Sequence, residues 1–221
     1  TPPPGVHLVA SVPGRHGTSN KYGLRALRRH LEAELNNPIR PRQIVSRVEY
    51  ASSSVGKLAR DVWPKIRDAM LTGAKPGTDD QRLGEANDRV RIVWPSVGTT
   101  LANMWERAPG WWREPHSQPI GPGKQWESLT DGQEWVLRKS FSHHVMPWPE
   151  RARTFHHCKV AAGFDDEHDL VWLYTGSHNC SGAAWGKTES GDFVVMAYEL
   201  GVLTVFPVPI IKHVAQSIVP W

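Results

Sequence analysis

The last third of the chain constrains the fold most. Four apolar runs, "HHCKVAAGF" (156–164), "DLVWLYTGS" (169–177), "DFVVMAYEL" (192–200) and "VLTVF" (202–206), follow one another with short polar breaks. Short runs of β-branched and aromatic residues, bounded by Gly, Asp and Ser, predict strands. Strands this close in sequence need neighbours to take their backbone hydrogen bonds and a second layer to cover their apolar face.

The first half supplies both. "VHLVASVPG" (6–14) predicts a short buried strand that ends in a Pro-Gly turn. Leu24, Leu27, Leu31 and Leu35 recur at helical spacing between Tyr22 and Leu35, with Arg25, Arg28, Arg29 and Glu32 on the opposite face and Pro38 as the stop. "QIVSRVEYAS" (43–52) predicts a strand, and Leu58, Val62, Ile66 and Met70, four residues apart, predict a helix. "RVRIVWPSVG" (89–98) predicts another buried strand. Residues 71–88 read as a polar loop or insertion, 105–131 as an irregular packed excursion rich in Pro, Gly and Trp, and "DGQEWVLRKSFSHH" (131–144) as a helix. The economical packing is an α/β fold: one mixed β-sheet flanked by helices.

Composition narrows the class. With 221 residues, 39% hydrophobic and 22% charged, the chain can bury a core. No stretch approaches the ~20 apolar residues of a membrane span, so no membrane partner is expected. The opening "TPPPGVHLVA" lacks a basic segment before a long apolar run. It reads as a chain entering a strand, as at a domain boundary, and not as a signal peptide. Two cysteines, Cys158 and Cys180, predict free thiols in a reducing compartment and no disulfide scaffold. Residues 1–50 hold eight basic and three acidic residues. That balance fits a polyanionic partner and, more commonly, a solvated helix face. Of eleven tryptophans, five fall between Trp94 and Trp126. Burial is their commoner use; exposed, they would stack on bases.

One pattern carries chemistry. His157 and Lys159 form an H-x-K pair, and on a strand residues i and i+2 share a face. The pair then delivers an imidazole and an ammonium to one pocket, with Cys158 turned into the core. The following run ends in Gly176-Ser177-His178-Asn179, so Asn179 can add amide donors beside the lysine. Lys, Asn and Ser donors around a histidine can hold a phosphate and stabilise the charge that builds on it. The imidazole can act as nucleophile or as general acid and base. The alternative is a solvated strand end. A zinc reading also exists, because His156, His157, Cys158, His178 and Cys180 lie close in sequence; adjacent strand residues point to opposite faces and do not converge.

H-x-K followed by "TGSHNCSGAAWG" (175–186) and "AYELGVL" (197–203) resembles the C-terminal half of the tyrosyl-DNA phosphodiesterase family, in the phospholipase D superfamily. "HLVASVPGRHG" (7–17), "ASSSVGKL" (51–58) and "RIVWPSVG" (91–98) resemble successive landmarks of the same domain, in the same order; about 71–88 and 105–130 match poorly. The resemblance implies one phospholipase D-like domain over 1–221, an α-β-α sandwich corresponding to the C-terminal half of such an enzyme. It implies hydrolysis of the 3′-phosphotyrosyl bond between DNA and topoisomerase I, and of other 3′ blocks, through a phosphohistidine and with no metal or other cofactor. On it His157 is the general acid and base, Lys159 and Asn179 bind phosphate oxygens, and Ser177 and Ser181 support them. Glu199 resembles the carboxylate that orients the nucleophilic histidine. Ser53, Ser54 and Ser96 resemble substrate contacts. The implied partners are single-stranded or nicked DNA 3′ ends carrying a topoisomerase-derived peptide, and the N-terminal half of the same enzyme. The implied location is the nucleus, with the mitochondrion as a second.

The sequence departs from the family in one respect. Of its eleven histidines only His157 has a lysine two residues on, so the second, nucleophilic half-site is missing. Three readings follow: half of a longer enzyme, inactive alone; a single-motif nuclease that builds its site as a homodimer; or a nucleic-acid-binding module without catalysis.

Overall fold

In the computed structural model, residues 2–39, 41, 43–52, 62–72, 89–95, 141–144 and 157–219 are described. Among these residues ten strands and four helices follow in chain order: β1 (Val6–Ser11), β2 (Gly14–Arg15), α1 (Gly23–Leu35), β3 (Arg47–Ser52), α2 (Val62–Met70), β4 (Val90–Pro95), β5 (Phe141–His144), β6 (Lys159–Phe164), β7 (Leu170–Gly176), α3 (Gly182–Trp185), β8 (Lys187–Glu189), β9 (Asp192–Val195), β10 (Glu199–Ile210) and α4 (Lys212–Ile218). The main sheet has seven strands in the order β1-β10-β7-β6-β3-β4-β5, and β2, β9 and β8 form a small second sheet. β3–β4 and β4–β5 pair parallel. The pairs β1–β10, β10–β7, β7–β6 and β6–β3 are antiparallel, so the sheet is mixed as expected.

Period-two alternation sends successive side chains to opposite faces. Val9, Tyr50, Ala161, Tyr174 and Leu203 enter a large core with the leucines of α1 and with Trp63, Ile66 and Met70 of α2. Ala162, Phe164 and Leu170 enter a smaller one with Ala215 and Val219, from and just after α4. Helices therefore cover both faces, as in an α-β-α sandwich. α1 forms because Leu24, Leu27, Leu31 and Leu35 line one buried stripe. At its entry Gly23 has φ +53, and a Cβ there would meet the Trp185 carbonyl oxygen at 2.3 Å. Glycine is what lets the helix start against α3.

Several boundaries differ from the sequence reading. β3 starts at Arg47 and not at 43, because Gln43 turns inward and donates its amide to the carbonyls of Phe206 and Pro207. "DFVVMAYEL" divides: β9 joins the small sheet, and β10 begins at Glu199. β6 begins at Lys159, leaving His157 and Cys158 ahead of the strand. Of the helix expected over 131–144, only Phe141–His144 is described, and it is a strand, held as an edge by parallel pairing to β4. The remainder of that helix, the loop 73–88 and the Trp-rich stretch 105–131 lie outside the described residues. Among the described residues Trp63, Trp172 and Trp185 are buried.

Candidate active site

Five strand ends meet at one end of the main sheet. β1 and β3 finish there at Ser11 and Ser52, β7 runs out past Gly176, and β6 and β10 start there at Lys159 and Glu199. Register fixes the neighbours: Ser52 lies opposite Lys159, and Ser11 opposite Glu199.

His157 and Lys159 come together as expected, though not as two positions of a strand. His157 is exposed, just ahead of β6, while Lys159 is 5% exposed. The lysine Nζ donates to His157 Nε2 at 3.0 Å and to the His157 carbonyl oxygen at 3.0 Å. An ammonium has donors only, so Nε2 is an acceptor and the imidazole is neutral. Desolvation, and then the Lys159 charge, hold His157 below its ordinary value. Burial depresses Lys159 as well, and neighbouring Cys158 and Glu199 push it the other way. The Glu199 carboxylate thus acts on the lysine of this same pair. Cys158 is half-buried and not turned into the core; with no strand at 157–158, alternation does not apply to it.

The turn that follows β7 is fastened residue by residue. Ser177 N donates to the Leu200 carbonyl at 3.0 Å, and Leu200 N donates to Ser177 Oγ at 3.0 Å. Cys180 N donates to Ser52 Oγ at 2.9 Å, which sets Asn179 beside the strand pair that carries Lys159. Ser181 caps α3, its Oγ accepting from Ala184 N at 3.2 Å. Ser177 and Ser181 therefore hold backbone. Ser53, Ser54 and Ser96 lie outside the described residues.

Sequence reasoning missed the buried frame behind this turn. His178 is completely buried, with Nε2 2.9 Å from Ser11 Oγ and Nδ1 at the Tyr174 hydroxyl. Its ring stacks on Trp185 at 4.1 Å between centroids. The Tyr50 hydroxyl donates to the His178 carbonyl and accepts from Trp185 Nε1 at 3.0 Å. Burial pushes the His178 imidazole down to about 3 and the Tyr174 phenol up; Glu199 adds to the latter. The visible signal was the serine closing each of two apolar runs, "VAS" and "YAS".

The sequence profile of the family described as Tyrosyl-DNA phosphodiesterase matches residues 3–217. Tyrosyl-DNA phosphodiesterase 1 of Arabidopsis thaliana is 27% identical over 203 residues, which are 90% of this chain and 30% of that protein. A mutant of the yeast tyrosyl-DNA phosphodiesterase superposes with a TM-score of 0.57 at 17% identity, over 91% of this chain and 47% of that one. Another yeast tyrosyl-DNA phosphodiesterase structure gives 0.52 at 18% identity, over 90% and 46%. At those identities the structures speak for the fold alone. The chain spans under half the length of the solved relatives and about a third of the plant one.

Proposed function

The chain belongs to the tyrosyl-DNA phosphodiesterase family, and from that premise we propose that it is the C-terminal, acid–base half of an enzyme that hydrolyses 3′-phosphotyrosyl DNA. One observation carries the reading: a buried ammonium, Lys159, donates to the Nε2 lone pair of an exposed imidazole, His157, beside a fastened Asn179 turn. The pair is a charge-and-proton device waiting for an anion. When a phosphodiester enters, Lys159 donates to its oxygens instead, His157 Nε2 is released, and the new negative charge favours the imidazolium. Protonated His157 then gives its proton to the departing tyrosine oxygen as the P–O bond breaks. The phosphoryl group passes to a nucleophilic histidine from the N-terminal half, and the now neutral His157 takes a proton from the water that hydrolyses the phosphohistidine.

Glu199, whose field reaches Lys159, orients that incoming histidine as well on this reading. The substrate is then a 3′ end of single-stranded or nicked DNA bearing a topoisomerase I-derived peptide. The whole protein works in the nucleus, with the mitochondrion as a second location. A single H-x-K in the sequence also favours a second reading, a homodimer pairing two copies of His157.

One experiment separates them. Release of tyrosine from a 3′-phosphotyrosyl oligonucleotide is followed in a single turnover with EDTA present, and native mass is measured on the same sample. A monomer without turnover, made active by adding the N-terminal half and silenced again by His157→Ala, is the expected outcome. Turnover by a dimer of this chain alone overturns the half-enzyme reading.

A further inference from the structure

We propose that His178 is a positioning residue for the phosphate-binding turn, locked between Tyr174 and Ser11 so that Asn179 is presented to Lys159. The inference rests on the proposed phosphate site. Its proton order follows from the contacts. Ser11 Oγ lies 2.6 Å from the Ala184 carbonyl oxygen, which can only accept, so the hydroxyl spends its one proton there. At 2.9 Å from His178 Nε2, Ser11 Oγ must then accept, and the imidazole carries its proton on Nε2. Nδ1 is left bare and takes the Tyr174 O–H. The chain of donors runs one way, Tyr174 to His178 to Ser11 to Ala184, and every member is used.

A second route, Trp185 to Tyr50 to the His178 carbonyl, fixes the same residue through its backbone. Side chain and main chain of His178 are thus tied to β1, β3, β7 and α3 at once. The next residue along is Asn179, and the one after is caught by Ser52. A satisfied buried network selects one geometry where apolar packing would accept several. The surroundings are cut to admit it. A Cβ on Gly176 or on Gly201 would lie 2.3 Å from the Tyr174 hydroxyl oxygen, and one on Gly23 would lie 3.1 Å from Ser11 Oγ.

The test titrates the whole chain with inorganic phosphate and follows the Asn179 side-chain amide by NMR, with unfolding midpoints measured alongside. Lys159→Ala, which removes the ammonium, should abolish the response. His178→Ala should weaken phosphate binding at least tenfold. His178→Gln keeps a donor toward Ser11 and should recover most of that loss; Tyr174→Phe should cost several-fold. Leu31→Ala is the control, a core truncation that lowers stability without touching the turn, and it should leave the phosphate affinity unchanged. Wild-type affinity in folded His178→Ala overturns the proposal. If His178→Ala does not fold, unchanged affinity in both Tyr174→Phe and His178→Gln overturns it instead. If the wild type itself ignores phosphate, the proposed site falls, and the Asn179 amide still decides: rigid in the wild type and mobile in Tyr174→Phe supports positioning, equal order in both refutes it.

Discussion

Two histidines twenty-one residues apart illustrate opposite uses of one side chain. His157 is exposed, takes the Lys159 ammonium on its Nε2, and sits ahead of its strand. His178 is sealed, stacked on Trp185, and has both ring nitrogens engaged. Both are held neutral: the first chiefly by its share of desolvation with an ammonium beside it, the second by burial alone. The difference is reversibility. A charge entering the site can reprotonate His157, whereas His178 can be protonated only by breaking the frame. On the proposed mechanism, chemistry falls to the loosely held ring and geometry to the tightly held one.

That contrast can be broken most forcefully at the buried ring. His178→Ala leaves a cavity and strands the Tyr174 hydroxyl, so a loss of about 3–5 kcal/mol is expected in urea unfolding. Acid attacks the same ring. Its folded value of about 3 lies below the 6.5 of the unfolded chain, so only the unfolded state binds the proton between those values. Stability from this group is complete above pH 6.5 and falls by about 1.4 kcal/mol per pH unit below it. His30, depressed to about 4 by burial and by neighbouring His7 and Arg29, pulls in the same direction. Unfolding midpoints at pH 7 and pH 5 measure the sum, and a flat profile would refute it. Ser177→Ala, which removes the acceptor for Leu200 N, should cost about 1 kcal/mol. His157→Ala sharpens the comparison from the other side. It should change stability by less than about 0.5 kcal/mol, as surface substitutions do, while abolishing turnover in the reconstituted enzyme.

The parts legible in the sequence were local. The leucine spacing of α1, the apolar runs of β1, β4, β6 and β7, and the H-x-K pair needed only neighbours along the chain. What stayed hidden depends on distant partners. Ser11 and His178 are 167 residues apart, and Tyr50 and His178 are 128 apart, so no window of sequence contains the frame. β5 misled for a related reason: four residues, "FSHH", are too few to show a period, and pairing with β4 decided their conformation. Alternation turns Cys158 into the core only where a strand already runs, and β6 begins one residue later.

The register of β1 against β10 also governs how the site comes into being. Ser11 finds Glu199 and His178 only after the whole intervening chain has been made. At ~5–20 residues per second of synthesis, the first strand waits roughly 10–40 s for its partner. Through that interval its hydrogen-bonding edge toward β10 stands open, which makes β1 one place where a wrong pairing would start.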